Sequence, residues 1–235
     1  MKARRVKRLD PDVSLEENAA RIVSVRLAEM RSFAPAALDP ANSVAQHDMR
    51  IAAKRLRYIL EATGFCFGKP AQTAARRARD LQGLLGEMHD CDVMLPAIDT
   101  HIADLRVEDA GALREKAGDA RALDPALAAR ARHRTAYRGL EVLTVYVQAR
   151  RGLLFDRFLA FWRAQEGAGT WDRLDRAVAG RLHEIKERRR AEQRIENARR
   201  ELEEAERKAR RAAAELAAAA DYPITDRTSG TYPDR

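Results

Sequence analysis

At 235 residues, with 44 Lys/Arg against 36 Asp/Glu and a net charge of +8, the chain can bury a sizeable core and suits an anionic partner. Few glycines and prolines (12 and 8) and 6% aromatics favour an all-helical protein rich in surface charge, and only two cysteines, Cys66 and Cys91, exclude a disulfide framework and favour a reducing cytoplasm. No apolar run approaches the roughly 18 residues of a membrane span, and the basic start lacks the apolar core of a secretory signal.

Residues 1–13 read as a flexible arm, with five cations and no acid in the first nine. Ser14-Leu15-Glu16-Glu17 fits a capping box with Glu17 at the third helical position. The helix that follows carries Ala20, Ile22, Val23, Leu27 and Met30 and is expected to end before Pro35. Asp39-Pro40-Ala41-Asn42-Ser43 then turns into a second helix running to Ala62, where Gly64, Gly68 and Pro70 break it. A third helix is expected over about Ala71–Leu95, striped by Leu81, Leu84, Leu85 and Met88. Pro96 should open a fourth helix reaching about Arg106, with a weaker acidic helical stretch to Ala122.

Asp124-Pro125 should start a long helix in which Leu140, Leu143, Val147, Leu154, Phe158 and Phe161 recur at helical spacing. Gly167-Ala168-Gly169-Thr170 separates it from a last helix, Trp171 to Ala220. There Glu184/Arg188, Glu196/Arg200, Glu203/Arg207, Glu204/Lys208 and Glu206/Arg210 are all i,i+4 pairs with the acid first. Residues 181–216 therefore suit an exposed single helix or a weak coiled coil with a partner helix. From Asp221 the composition is that of a disordered tail. Nothing alternates with period two, so an all-α chain is expected: a helical body over 14–176, a charged helix over 177–220 and a tail over 221–235.

Charge is distributed unevenly. Residues 10–180 hold 25 Lys/Arg against 24 Asp/Glu, so the body is nearly neutral and any anion site must arise from clustering. Arg50, Lys54, Arg55 and Arg57 come with no acid before Glu61. Arg76, Arg77 and Arg79 follow, and Arg130, Arg132, Arg134 and Arg138 form a third cluster. On a helical wheel His47, Arg50, Lys54, Arg57 and Tyr58 share about a quarter of the circumference, opposite Met49, Ala53, Leu56, Ile59 and Leu60. A charge run on an amphipathic helix is ordinarily a solvated face. Here three cations on successive turns repel one another unless an anion lies before them, and arginine's planar fork matches phosphate oxygens.

His47-x-x-Arg50-Ile51-x-x-Lys54-Arg55-Leu56-Arg57-Tyr58 and Leu84-Leu85-Gly86-Glu87-Met88-His89-Asp90-Cys91-Asp92-Val93 resemble, in order and spacing, the two signatures of CHAD domains (conserved-histidine α-helical domains). The resemblance covers about residues 14–176. It implies two four-helix-like halves around a basic cavity, binding of inorganic polyphosphate, localisation to polyphosphate granules and no catalytic activity. By position, His47, Arg50, Lys54, Arg55 and Arg57 match the basic motif. Asp90 and Asp92 match acidic positions that would orient arginines. His89 stands where many members have arginine. His133-Arg134-Thr135-Ala136-Tyr137-Arg138 and Arg150-Arg151 are the nearest second-half clusters, and neither reproduces the motif.

The expected polyphosphate site is therefore His47, Arg50, Lys54, Arg55, Arg57, Tyr58, Arg76, Arg77, Arg79, His89, Arg134 and Arg138, with Asp90 and Asp92 orienting. No catalytic residue, metal or cofactor is expected, and other polyanions are secondary partners. Three alternatives use the same residues differently. A nucleic-acid binder would share the arginines, although the face offers only Tyr58 for stacking. A scaffold would work through 181–216. A histidine-aspartate metal phosphohydrolase would build on His47-Asp48 and His89-Asp90 but needs further ligands, and neither His101 nor His183 is placed to supply them.

Overall fold

The computed structural model describes residues 2–220, with side chains through residue 217, and every regular element among them is a helix. Contacts divide the chain into one unit ending at Leu182 and a second beginning at His183. The expected tail, 221–235, lies outside the described residues.

α1 spans Leu15–Ala37, and Ser14 caps it as its motif requires, its hydroxyl accepting from the Glu17 N–H at 3.3 Å. The helix does not end before Pro35 but carries it inside and continues to Ala37. Proline forfeits one backbone hydrogen bond; burial of Ala34 and Ala37 on the core side holds the last turn in place.

The stretch before α1 is laid against it. The Arg4 N–H donates to Glu29 Oε1 at 2.9 Å and the Arg4 guanidinium to Ser32 Oγ at 2.8 Å. Arg26 donates to the Arg4 carbonyl at 3.0 Å, and Asn18 pairs with the Asp10 backbone in both directions. Cation count alone suggested a flexible arm; carbonyl and carboxylate acceptors instead anchor this segment along α1.

α2 spans Ser43–Thr63, capped by Asn42 accepting from the Ala45 N–H at 3.0 Å. Its apolar face buries Met49, Ala52, Ala53, Leu56 and Leu60. A single 3-10 turn, Gly64–Phe67, leads to Gly68 at φ 66°, ψ −150°, a conformation open essentially to glycine alone.

α3 is one helix of 50 residues, Gly68–Ala117. The expected break at Pro96, with separate helices on either side, does not occur. Leu81, Leu85, Met88, Cys91, Ile98 and Ile102 are all buried, so one stripe runs past the proline in register. Packing of that stripe outweighs the single N–H that Pro96 lacks.

Asp124 caps a helix as expected, accepting from the Ala126 N–H at 2.9 Å, yet α4 stops after Pro125–Ala128. None of its residues is buried, and one unburied turn does not sustain propagation. The long helix, α5, begins instead at Arg134 and runs to Gly167. Its start is fastened to α3 through Asp109, which accepts from the His133 N–H at 3.1 Å and from the Tyr137 hydroxyl.

α6, Thr170–Ala220, follows Gly169. Trp171, Leu174 and Val178 complete the core with Leu154, Phe155, Phe158 and Trp162 of α5, and Trp162 stacks on Trp171 at 6.1 Å.

In the second unit every described side chain from Lys186 onward is exposed. Glu196/Arg200 and Glu204/Lys208 pair as expected, at 3.2 and 3.1 Å. Arg188 reaches forward to Glu192, and Arg199 to Glu203. Such pairs exchange at little cost because each is worth only a few tenths of a kcal/mol.

Candidate functional site: the α2–α3 seam

Because α2 and α3 run antiparallel, the cationic face of α2 meets the second signature on α3 residue by residue. His47 lies against His89, ring centroids 4.5 Å apart and tilted by 50°. One turn on, Arg50 Nε lies 3.6 Å from where a Cβ at Gly86 would stand. Arg50 therefore passes close over the α3 backbone at Gly86, at a distance that a methyl group there would meet as ordinary contact. At the far end Arg79 of α3 pairs with Glu61 of α2 at 2.7 Å.

Lys54 and Arg57 both stack on Tyr58, at 5.7 and 4.6 Å from the ring centroid. Tyr58 is about half exposed, so its ring spaces the two cations while remaining accessible. Arg50 and Lys54 have no carboxylate within ion-pair distance among the described residues. Arg57 has one, Glu61 at 3.5 Å, which it shares with Arg79.

The seam also collects polar atoms that are shut off from water and lack a hydrogen-bond partner: His47 Nδ1, Arg50 Nε, Arg57 Nε and, on α3, Gln82 Oε1. Buried polar groups are normally satisfied, and an orphaned set along one face asks for an explanation. Two of these atoms are guanidinium donors: Arg57 Nε has Glu61 Oε1 at 3.5 Å as its ion-pair partner, and Arg50 Nε has no carboxylate beside it among the described residues.

His47 and His89, with Ser43, Val44, Asp92 and Val93, line a pocket of about 300 Å³ where α2 begins. Burial, the neighbouring His89 and the Arg50 charge together hold the His47 imidazole below its ordinary value of 6.5, and Asp48 offsets only part of this. His47 is therefore biased to its neutral form.

Arg151 of α5 closes the rim of this region. It donates to Asp92 at 3.0 Å and to the Gln46 side-chain oxygen, while Gln46 donates to the Ala37 and Asp39 carbonyls at 3.3 and 2.8 Å. Asp92 thus orients an arginine, as its position in the signature implies, but the arginine comes from α5. Asp90 is exposed and forms no ion pair among the described residues. Arg150 turns away to Glu87 at 2.8 Å.

The remaining expected residues scatter. Arg55 reaches inward to the fully buried Glu29 at 3.2 Å, beside Arg26 at 2.6 Å. Arg76 donates to Thr73 and Arg77 pairs with Asp80, both within their own helix. Arg134 donates to the Ala129 carbonyl. Arg138 lies 13 residues along α5 from Arg151, about 20 Å at 1.5 Å per residue. The structure therefore brings together His47, Arg50, Lys54, Arg57, Tyr58 and His89, joins Arg79 to them through Glu61, and leaves Arg55, Arg76, Arg77, Arg134 and Arg138 elsewhere.

Sequence reasoning left Gln46 and Glu61 out of the site and carried Arg151 only as part of a second-half basic cluster. Their roles arise from contacts across more than one helix, and no local pattern signals them. Among the described residues no three His, Cys, Asp or Glu side chains converge as a metal-holding group, and no helix is long and apolar enough to cross a membrane.

Compared with known families, residues 2–99 match the CHAD domain model. The match takes in the anchored N-terminal segment, α1, α2 and α3 as far as Asp99, and so contains both facing helices of the seam; it starts before residue 14 and stops well short of 176. No curated protein and no solved structure matches the chain.

Proposed function

We propose that this chain, which carries a CHAD domain across residues 2–99, binds inorganic polyphosphate along the α2–α3 seam and does not hydrolyse it. The observation that carries the reading is the row Arg50, Lys54 and Arg57 on one face of α2, of which Arg50 and Lys54 have no carboxylate within ion-pair distance among the described residues. Successive phosphates on a flexible chain can engage successive cations spaced about 6 and 4.5 Å along the helix axis. Charge-assisted bonds from these side chains to phosphate oxygens would supply the counter-charge that Arg50 and Lys54 lack within the fold.

Much of the affinity would come from counterions released by the polyanion, as in nucleic-acid binding. Three or four phosphate contacts imply that log K falls with log salt at a slope of about −2 to −3. Granule targeting follows as the cellular consequence of the same affinity.

The test is a titration with long-chain polyphosphate at several salt concentrations. The triple reversal Arg50→Glu/Lys54→Glu/Arg57→Glu should abolish binding. An unchanged affinity, or displacement of polyphosphate by nucleic acid at equal phosphate concentration, would overturn the reading.

A further inference from the structure

α5 is apolar on two opposite sides. Its inner stripe, Val147, Leu154, Phe158 and Trp162, is buried in the core. The outer stripe is Val142, Val145, Tyr146 and Leu153, each between 53% and 66% exposed. At 100° per residue these four lie within about 100° of one another, with Ala149 between them. A helix apolar on both sides ordinarily has a partner on both sides. The apolar surface also continues into the adjoining α3–α5 groove of about 370 Å³, where Met94 and Leu143 flank Tyr146.

The charges bracketing the stripe say what covers it. Arg138 stands at one end and Asp156 at the other, both exposed and neither in an ion pair among the described residues. They are 18 residues apart, five whole turns, and so occupy the same edge of the helix about 27 Å apart. An identical helix laid antiparallel, centred level with Val147, places each Arg138 against the partner's Asp156, twice over by symmetry. The same register sets Val145 against the partner's Ala149. A parallel copy would instead oppose Arg138 with Arg138 and Asp156 with Asp156.

We infer that the outer face of α5 is a homodimer interface in which two copies of this chain pack α5 against α5 in antiparallel register, fixed by reciprocal Arg138–Asp156 pairs. A 27 Å length of helix about 10 Å wide covers less than the roughly 800 Å² per partner of a standard stable complex. The dimer is therefore of the small-interface, concentration-dependent kind.

Sedimentation equilibrium of the full chain between about 1 and 200 μM tests this, since it should show a reversible monomer–dimer exchange. Arg138→Asp alone, or Asp156→Arg alone, should weaken dimerisation at least tenfold by opposing like charges at both ends. Arg138→Asp combined with Asp156→Arg should restore it. Val145→Glu should abolish it while the helical circular dichroism stays unchanged. A parent chain that remains monomeric at 200 μM overturns the proposal and leaves the stripe to a different protein. A dimer insensitive to the single reversals places the interface elsewhere, and failure of the double swap to restore it overturns the antiparallel register.

Discussion

His47 and His89 face each other across the α2–α3 seam, their ring centroids 4.5 Å apart. Burial, this neighbouring ring and the Arg50 charge make His47 harder to protonate unless negative charge is brought to it.

That pairing gives a proton linkage with a definite sign. The folded-state value of His47 lies below 6.5, so the unfolded chain binds more protons in the window just below 6.5, and acidification through it destabilises the apo protein. Bound phosphate reverses the local field and raises the same group. Polyphosphate should therefore bind more tightly at pH 6 than at pH 8, with net proton uptake measurable by calorimetry in buffers of different ionisation enthalpy. His47→Gln should remove the uptake and flatten both profiles.

Glu61 accepts from Arg79 at 2.7 Å and sits 3.5 Å from Arg57, so one carboxylate holds two cations that could otherwise serve an anion. Glu61→Gln should tighten polyphosphate binding several-fold at low salt, with the gain fading as salt rises. Loss of affinity in Glu61→Gln would show that the carboxylate positions Arg57 and Arg79 for the ligand.

Arg55 and Arg50 lie five residues apart on α2 yet should behave oppositely. Glu29 is fully buried and receives Arg26, Arg55 and the Arg4 N–H. Removing its carboxylate takes a buried acceptor from two guanidiniums and from the Arg4 N–H, so Glu29→Ala should cost about 3 kcal/mol in chemical denaturation. Arg55→Ala should lower stability with little change in polyphosphate affinity, whereas Arg50→Ala should lower affinity with little change in stability.

Gly68 joins the 3-10 turn to α3 at φ 66°, ψ −150°. A Cβ there meets nothing within 4 Å, so the cost of substitution is conformational. Gly68→Ala should destabilise by about 1–3 kcal/mol, measurable as a shift in the denaturation midpoint without change in its slope.

Where the sequence succeeded, the information was local. Ser14 and Asn42 cap helices because a short side-chain acceptor placed before an amphipathic run meets the unpaired N–H groups of its first turn. The α2 wheel separated Arg50, Lys54 and Arg57 from Met49, Ala53 and Leu56 correctly because 100° per residue holds wherever the helix forms.

Where it failed, a local signal was outweighed by packing or by a distant partner. Pro96 reads as a boundary, yet Ile98 and Ile102 carry the buried stripe of α3 beyond it. Pro125 reads as the start of a long helix, but α5 starts where Asp109 of α3 holds His133 and Tyr137. The basic start reads as a free arm until Glu29 and Ser32 bind Arg4.

By itself the sequence determined the helical class, the cationic face of α2 and the two signature segments, because periodicity and motif spacing are properties of neighbouring residues. Only the tertiary structure decided which cations gather on the α2–α3 seam. The antiparallel register of α2 and α3 sets His47 on His89, 42 residues away, rests Arg50 against Gly86 and lets Glu61 claim Arg79. The same packing turns Arg55 inward to Glu29. Charge–charge contacts act over a few ångströms of space, and chain distance carries no record of them until the helices dock.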